Sequence, residues 1–147
     1  MSLQEQLNTA MKEAMRAKDS LRLNAIRLVK TAIKNKEIEA RQEFDDQAVI
    51  GVLSSLVKQR RESAQVYRES NRADLAEKEE RELAVIQEFL PQQLSEEEIK
   101  TIIEAAVAET GAASARDMGK VMKIVSAKTV GRADGRMVSE LVKARLA

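Results

Sequence analysis

Residues 117–146 read DMGKVMKIVSAKTVGRADGRMVSELVKARL, and the spacing of their apolar residues decides the fold prediction. The apolar positions follow the i, i+3, i+4, i+7 spacing of one helix face before the GRADG segment and again after it. The two sets are Met118, Val121, Met122 and Val125, then Met137, Val138, Leu141 and Ala144. The stretch therefore predicts two short amphipathic helices that each bury one side and are joined at GRADG.

The GRADG segment, residues 131–135, has the composition of a capped turn. Gly131 and Gly135 bracket it, and Asp134 is placed to cap the second helix. A backbone that contacts a phosphate directly is the alternative for these glycines. Gly119 falls in the middle of the predicted first helix, where close packing against another helix would explain it.

Seven Lys or Arg residues occupy polar positions of this stretch. At about 100° per residue, Arg116, Lys120 and Lys123 fall within a narrow arc of the first helix, and Arg136 and Lys143 share a face of the second. Together with Arg132 of the GRADG segment, these residues form a predicted cationic surface. It consists of Arg116, Lys120, Lys123, Arg132, Arg136 and Lys143.

The rest of the chain also predicts helices, so the fold class is all-α. Aromatic residues make up only 2% of the 147 residues, and one proline with five glycines leaves little room for the turns of a β fold. Apolar stripes that include Met15 and Leu28 predict helices over residues 3–17 and about 20–41, and Asp19 is placed to cap the second. Further stripes predict helices from Asp45 to near Asn71 and from about 75 to Pro91, which ends the fourth. Ser95 and Glu98 form a capping box for a fifth helix that runs to Thr110.

The predicted domains are 1–91, an antiparallel bundle of about four helices, and 92–147, a three-helix subdomain. After the fifth helix, Gly111 suits a left-handed C-terminal position, and Ser114 with Asp117 is predicted to cap the sixth helix in the same way as Ser95 with Glu98. Charge differs along the chain: residues 12–41 carry nine Lys or Arg against four Asp or Glu, residues 72–104 four against ten, and residues 105–147 eight against four. Contact with nucleic acid is expected at the two basic ends.

A second group of cations, on the predicted second helix, forms a stripe away from its apolar face. Arg27, Lys30, Lys34 and Arg41 lie within roughly 60° of arc. The stripe suits a phosphate backbone, and plain solvated surface is the alternative.

Two further clusters of charge favour structural roles. In KQRRES, residues 58–63, Arg60 lies on the side of Leu56 and Val57 and is expected to pair with an acid of the fourth helix, with a ligand or partner site as the alternative. The carboxylates at 77–82 and 96–98 are oxygen ligands suited to a hard cation, although a solvated face and a helix cap explain them better.

Composition excludes most catalytic chemistry. The chain has no histidine and no cysteine, so it lacks the commonest general base, the commonest zinc ligands and the thiol nucleophile. No phosphate-binding GxxxxGK[ST] loop or dinucleotide fingerprint is present. We therefore expect no catalytic residue, no cofactor and no metal. No signal-peptide pattern and no apolar run of membrane-spanning length is found, which predicts a cytoplasmic protein without a membrane partner.

The motifs DMGKVM at 117–122 and GRADGRMVSELVKARL at 131–146 resemble the C-terminal tail of GatB. GatB is the subunit of the glutamine-dependent tRNA amidotransferase that carries the aminoacyl-tRNA. KQRRES at 58–63, EKEE at 77–80 and FLPQQLSEEEI at 89–99 resemble the stand-alone YqeY family, which shares this tail. The resemblance implies an all-helical two-part protein that contacts tRNA and has no active site of its own.

The expected function is thus a non-catalytic helical module that binds or positions tRNA, with a tRNA-modifying or aminoacylating enzyme as partner. With only Phe44, Tyr67 and Phe89 available for base stacking, such a module would hold the tRNA by backbone and shape. A protein-interaction scaffold that never touches RNA is the alternative. Carbon–nitrogen ligase activity with glutamine as amide donor is implied by the family resemblance, and no residues here are visible to carry it.

Overall fold

The computed structural model describes residues 1–147 and contains seven α-helices and no strand, which confirms the all-α prediction. The chain divides into two compact units, Met1–Leu90 and Pro91–Ala147, and each has its own apolar core. None of the helices is both long enough and apolar enough to cross a bilayer.

The first unit consists of four helices. Among them α2 and α3 each contact the other three, and the α3–α4 pair shares the most extensive contact. Each helix of this unit also contacts the next one along the chain. The helices are α1 (Leu3–Ala17), α2 (Ser20–Ala40), α3 (Asp46–Glu69) and α4 (Ala73–Gln87).

Side-chain caps define where these helices begin. The Asp19 carboxylate accepts a hydrogen bond from the Arg22 N–H at 3.1 Å at the start of α2, and Asp45 accepts from the Ala48 N–H at 2.9 Å at the start of α3. Both caps occupy backbone donors that the first helical turn leaves unpaired. The sequence correctly predicts the Asp19 cap.

Aliphatic side chains fill the core of the first unit. Two residues of the predicted stripes lie outside it: Met15 is 49% exposed and Leu28 is 50% exposed. Both lie at the edge of a helix face whose centre is buried, so periodicity alone overestimated the width of the face. The buried core residues are Leu3, Leu7, Ala10, Ile26, Val29, Ile33, Val49, Leu53, Val57, Ile86 and Phe89.

The second unit consists of α5 (Glu96–Thr110), a short 3₁₀ helix (Ala115–Asp117), α6 (Met118–Thr129) and α7 (Gly135–Leu146). The predicted capping box is present, with the Ser95 hydroxyl accepting from the Glu98 N–H at 3.1 Å and the Glu98 carboxylate accepting from the Ser95 N–H at 3.4 Å. Gly111 adopts the left-handed conformation expected of it, with φ of 69°. Ile99, Ile103, Val121, Val125, Val138 and Val142 are the largest fully buried side chains of this unit.

Three details of this unit differ from the sequence predictions. Ala144 is exposed, whereas Val142 and Leu146 are buried, because the buried line on α7 runs through Val138, Val142 and Leu146 at i, i+4, i+8. Gly119 lies in the first turn of α6, is exposed, and a Cβ added there would meet nothing within 4 Å. The close-packing explanation for Gly119 is therefore wrong.

The third difference is the start of α6. The Ser114 hydroxyl accepts from the Arg116 N–H at 3.4 Å, and the Asp117 carboxylate accepts from the Ala113 N–H at 3.0 Å. These bonds close a 3₁₀ turn that precedes α6, so they do not repeat the capping box of α5.

Candidate nucleic-acid interface

The GRADG turn joins α6 to α7 as a capped turn, as the sequence predicts. Gly131 is buried and has φ of 75°, a conformation that residues with a Cβ rarely adopt. The Asp134 carboxylate accepts a hydrogen bond from the Arg136 N–H at 3.1 Å and so caps α7. Gly131 and Asp134 therefore build the turn on which the neighbouring cations are carried.

The segment before α5 lies against this turn, a contact that the sequence analysis missed. The Leu94 N–H donates to the Arg132 carbonyl at 2.7 Å, and the Gln93 side-chain amide donates to the Gly131 carbonyl at 2.9 Å. Arg132 Nε donates to the Gln92 carbonyl at 3.3 Å. Residues 92–94 and 131–132 thus form one hydrogen-bonded structure. Arg132 is half-buried, and its Nε–H is already engaged in this structure by the Gln92 carbonyl.

On α6, Lys120 and Lys123 are exposed on the side of the helix opposite the buried Val121 and Val125. The side chains project about 60° apart around the helix axis, so a single extended anion can contact both. Ser126 and Ala127 continue this outer face and carry no charge. The outer face of α6 is therefore cationic and unobstructed by acidic residues of its own helix.

Arg116 is exposed but belongs to the 3₁₀ helix, so its predicted alignment with Lys120 and Lys123 on one α-helical face does not hold. Asp117 lies between Arg116 and Lys120 in sequence. The pKa of Asp117 is lowered, chiefly by the hydrogen bond from the Ala113 N–H and to a smaller extent by the positive charge of Lys120. Its carboxylate is thus engaged with backbone and offsets part of the local positive charge.

The cations of α7 are less available. Arg136 Nε lies 3.8 Å from the Glu140 carboxylate, and Arg145 forms an ion pair with Glu104 of α5. Glu140 projects between Arg136 and Lys143 on the same side of α7. Lys143 is exposed and takes part in neither pair. The exposed cations of the second unit that lie outside these pairs and the Lys100–Glu96 pair are Arg116, Lys120, Lys123, Lys128 and Lys143.

In the first unit, the stripe on α2 is only partly a solvent-facing surface. Arg27 and Lys34 are exposed, but Lys30 is half-buried, with its Nζ 3.9 Å from the Met11 sulfur of α1. Lys30 and Lys34 line a polar cleft of about 760 Å³. Arg27 lines a different, shallower cleft of about 440 Å³ beside Lys78 of α4.

One turn beyond Lys34, the Glu37 carboxylate interrupts the stripe. It accepts from the Phe44 N–H at 2.7 Å and from the Gln4 side-chain amide at 3.3 Å. The pKa of Glu37 is lowered, mainly by the hydrogen bond from Phe44. A persistent negative charge therefore adjoins this end of the α2 stripe, which makes it a weaker candidate for phosphate contact than the surface around α6.

KQRRES has the structural role that the sequence predicts for Arg60. Arg60 Nε lies 3.2 Å from the Glu82 carboxylate of α4, and Glu79 lies 3.9 Å from Arg60 Nη1. The side chains of Arg60 and Glu82 are only 15% and 11% exposed. Three further acids of the two clusters are also occupied: Glu80 pairs with Arg68, Glu96 with Lys100, and Glu98 caps α5. These carboxylates serve ion pairs and a helix start.

The fold and this surface define a class of all-helical proteins made of two small units, of which the second presents a cationic outer face. Two of the sequence motifs that carry the family resemblance stabilise the fold, because the GRADG turn and the PQQL segment are hydrogen-bonded to each other. The family model described as Yqey-like protein matches residues 4–146, so this chain belongs to the YqeY family.

Curated relatives are found among yeast proteins named "Altered inheritance of mitochondria protein 41, mitochondrial". That of Vanderwaltozyma polyspora is 46% identical over 85 residues, which cover 57% of this chain and 46% of the relative. That of Lachancea thermotolerans is 41% identical over 87 residues, 58% of this chain and 46% of the relative. That of Saccharomyces cerevisiae strain YJM789 is 36% identical over 83 residues, 56% of this chain and 45% of the relative. The chain matches slightly less than half the length of these relatives.

These names contradict one prediction. The sequence analysis expected a cytoplasmic protein, whereas the matching relatives are named as mitochondrial. The cytoplasmic prediction is therefore wrong. It depended on an absence of recognisable targeting and membrane patterns, which is a weaker argument than the compartment in the relatives' names.

Proposed function

We propose that this chain is a non-catalytic helical accessory module that binds or positions tRNA, beside a tRNA-dependent amidotransferase or an aminoacylating enzyme. The observation that carries the proposal is the set of exposed cations of the second unit, of which Lys120 and Lys123 share the outer face of α6. The basic partners in the ion pairs of that unit are Lys100, Arg136 and Arg145, so Arg116, Lys120, Lys123, Lys128 and Lys143 remain available to phosphates. The likeness of residues 117–146 to the GatB tail supports tRNA as the nucleic acid.

The mode of binding follows from the side chains that the surface offers. Phe44 and Tyr67 are half-buried and Phe89 is buried, so no exposed aromatic ring is present to stack on a splayed base. Lysine ammonium groups on a rigid helix instead contact phosphates as point charges. The module would hold the tRNA body by its backbone and shape and would read little sequence.

The buried charges support an accessory role over a catalytic one. Glu82, the most buried carboxylate, faces Arg60 in an ion pair that joins α3 to α4, so its charge stabilises the fold. Glutamine-dependent amide transfer by the purified chain alone would contradict the non-catalytic part of the proposal.

The direct test compares tRNA binding by two matched charge-removal variants at low salt. Lys120→Ala with Lys123→Ala removes two cations from the outer face of α6, and affinity should fall by about tenfold or more. Lys78→Ala with Arg81→Ala removes the same charge, at the same spacing, from exposed positions of α4 in the acidic stretch 72–104 and serves as the control. Absence of binding at low salt, or an equal loss in both variants, would contradict the proposal.

A protein-interaction scaffold is the second candidate, favoured by two exposed apolar side chains of α2. Leu28 is 50% exposed and Ile38 is 63% exposed, and side chains of this kind often anchor protein contacts. A pull-down that recovers a single partner equally well after ribonuclease treatment would favour the scaffold over the tRNA-binding module.

A further inference from the structure

One face of α3 is half-buried at Ala48 and Val52, is exposed from Ser55 to Val66, and carries a single charge. Its residues recur at alternating spacings of four and three, so they lie on one side of the helix. At 100° per residue they fall within about 80° of arc. We call this set the α3 seam: Ala48, Val52, Ser55, Gln59, Glu62 and Val66.

The α3 seam borders two shallow hollows that meet at Gln59. The first, of about 580 Å³, is lined by seam residues of the N-terminal half of α3 together with Gly51 and with Ala32 and Lys36 of α2. The second, of about 500 Å³, is lined by Gln59, Glu62, Ser63, Val66 and Tyr67. Val66 is 58% exposed. The two hollows share Gln59, so together they extend along the α3 seam from Ala48 to Val66.

Gly51 is not explained by packing within the chain. A Cβ added at Gly51 would meet nothing within 4 Å, although glycine in a helix interior costs about 1 kcal/mol relative to alanine. A glycine beside a seam allows a second helix to approach closely. This observation is independent of the two hollows and of the exposed Val66.

We propose that the chain self-associates through the α3 seam, as a two-fold symmetric pair with antiparallel α3 helices. The seam is self-complementary in this arrangement: Ser55 faces Gln59 of the second copy, Val52 faces its Glu62, and Ala48 faces its Val66. The exposed Val66 then fills the space beside Gly51 of the other copy. Two-fold symmetry makes each contact occur twice.

Charge decides between the antiparallel and parallel arrangements. The only charged residue of the seam is Glu62. In the antiparallel pair it lies opposite the Val52 end of the first hollow, where Lys36 and Glu39 of α2 both line the wall. Lys36 lies 3.4 Å from the Glu39 carboxylate, but its side chain is 60% exposed, so its ammonium group can reach a second carboxylate. A parallel pair would instead place Glu62 against Glu62, which is unfavourable.

The size of the seam predicts a weak dimer. Residues 48–66 span about 27 Å at 1.5 Å per residue, so the buried surface is on the order of 1,000 Å² in total, at the low end for specific interfaces. A dissociation constant in the micromolar range is expected, so the dimer should be detectable at high protein concentration.

Sedimentation across a micromolar to submillimolar concentration series tests the proposal on the full chain. The parent protein should shift from monomer to dimer, and Val66→Glu should remain monomeric. Ile38→Glu, at the 63% exposed Ile38 outside the seam, is the matched control and should dimerise like the parent. Circular dichroism confirms that both variants remain folded. A monomeric parent at all concentrations, or an equal effect of both variants, would overturn the proposal.

Two further experiments test whether the α3 helices of the two copies are antiparallel. Lys36→Glu and Glu62→Lys should each weaken the dimer, and their combination should restore it. Because the chain has no cysteine, Ser55→Cys and Gln59→Cys proteins can be mixed, and the mixed pair should form a disulfide several-fold faster than either variant with itself. Faster self-pairing of Gln59→Cys would indicate a parallel pair and overturn the antiparallel arrangement. tRNA binding does not enter these measurements, so they can fail without affecting the proposed function.

Discussion

Arg60 shows what a single buried cation contributes when its partner lies on another helix. It faces Glu82 and Glu79 of α4, but Arg60 Nε makes no well-aligned hydrogen bond although it lies 3.2 Å from the Glu82 carboxylate. The attraction is therefore mainly between charges. The sequence predicted this role because Arg60 shares a helix side with Leu56 and Val57, which brings its aliphatic stem to the core edge.

Replacing Arg60 by alanine should lower the free energy of unfolding by about 3 kcal/mol, because Glu82 would remain buried without its counter-charge. Urea denaturation measures the loss. Lys58→Ala, at an exposed position of the same helix, should change stability by less than about 0.5 kcal/mol. Similar losses in the two variants would show that the Arg60 ion pair contributes little.

Gly131 and Gly119 differ in backbone conformation, and alanine should affect them in opposite directions. Gly131→Ala forces a Cβ into a φ of 75° and should destabilise the protein by about 1–2 kcal/mol. Gly119→Ala adds a Cβ that meets nothing in the first turn of α6 and should stabilise by up to about 1 kcal/mol. Thermal unfolding of the two variants gives the sign of each change. Stabilisation by Gly131→Ala would contradict the structural role assigned to the turn.

At the scale of the elements, the sequence predicted all seven helices because each carries an apolar stripe, and local caps also mark the starts of α2, α5 and α7. Ser95 with Glu98, Asp19 and Asp134 could be identified as caps because each bond lies within one turn of the chain. The start of α6 was not predictable in this way, since Ser114 followed by Asp117 suits a 3₁₀ turn as well as a capping box. The contact of residues 92–94 with 131–132 joins segments about forty residues apart, and no local pattern encodes it.

Glu37 connects α2 to the segment before α3 and gives stability a pH dependence. Its pKa is lowered from 4.5 by the Phe44 N–H, so its contribution is fully present above about pH 4.5 and is lost as the pH falls through the lower folded-state pKa. Glu37→Gln should therefore lower Tm at pH 7 and make less difference at pH 3. Glu13→Gln, on the exposed side of α1, should leave Tm nearly unchanged at both pH values. A Glu37→Gln effect that is equal at the two pH values would contradict this account.

At the scale of the whole molecule, the net charge of +1 conceals where the available cations are. The sequence identified the basic stretches but could not identify which of their residues are paired. Arg136 and Arg145 have carboxylate partners and Arg132 bonds to backbone, whereas Lys120, Lys123 and Lys143 do not take part in those pairs. Which carboxylate a given Lys or Arg pairs with depends on tertiary packing. Only the structure could therefore show which cations remain available for phosphate contact.

If tRNA binds to the surface around α6, affinity should depend on salt in proportion to the phosphates contacted. Removing Lys120 and Lys123 together should reduce the slope of log K against log salt by about 2 in magnitude. Titrations at several salt concentrations measure this slope. The control pair, Lys78→Ala with Arg81→Ala, should keep the slope of the parent. An unchanged slope in the Lys120 and Lys123 variant would place the phosphate contacts elsewhere.

The hydrogen bonds from residues 92–94 to the GRADG turn limit how the tail can be grafted onto another protein. A graft that starts at Ser95 would keep α5, α6 and α7 but would deprive the carbonyls of Gly131 and Arg132 of the donors on Gln93 and Leu94. The smallest fragment that keeps these hydrogen bonds when it is transferred to another protein therefore begins at Gln92. A natural fusion that splices this tail onto an enzyme should carry the QQL tripeptide with it.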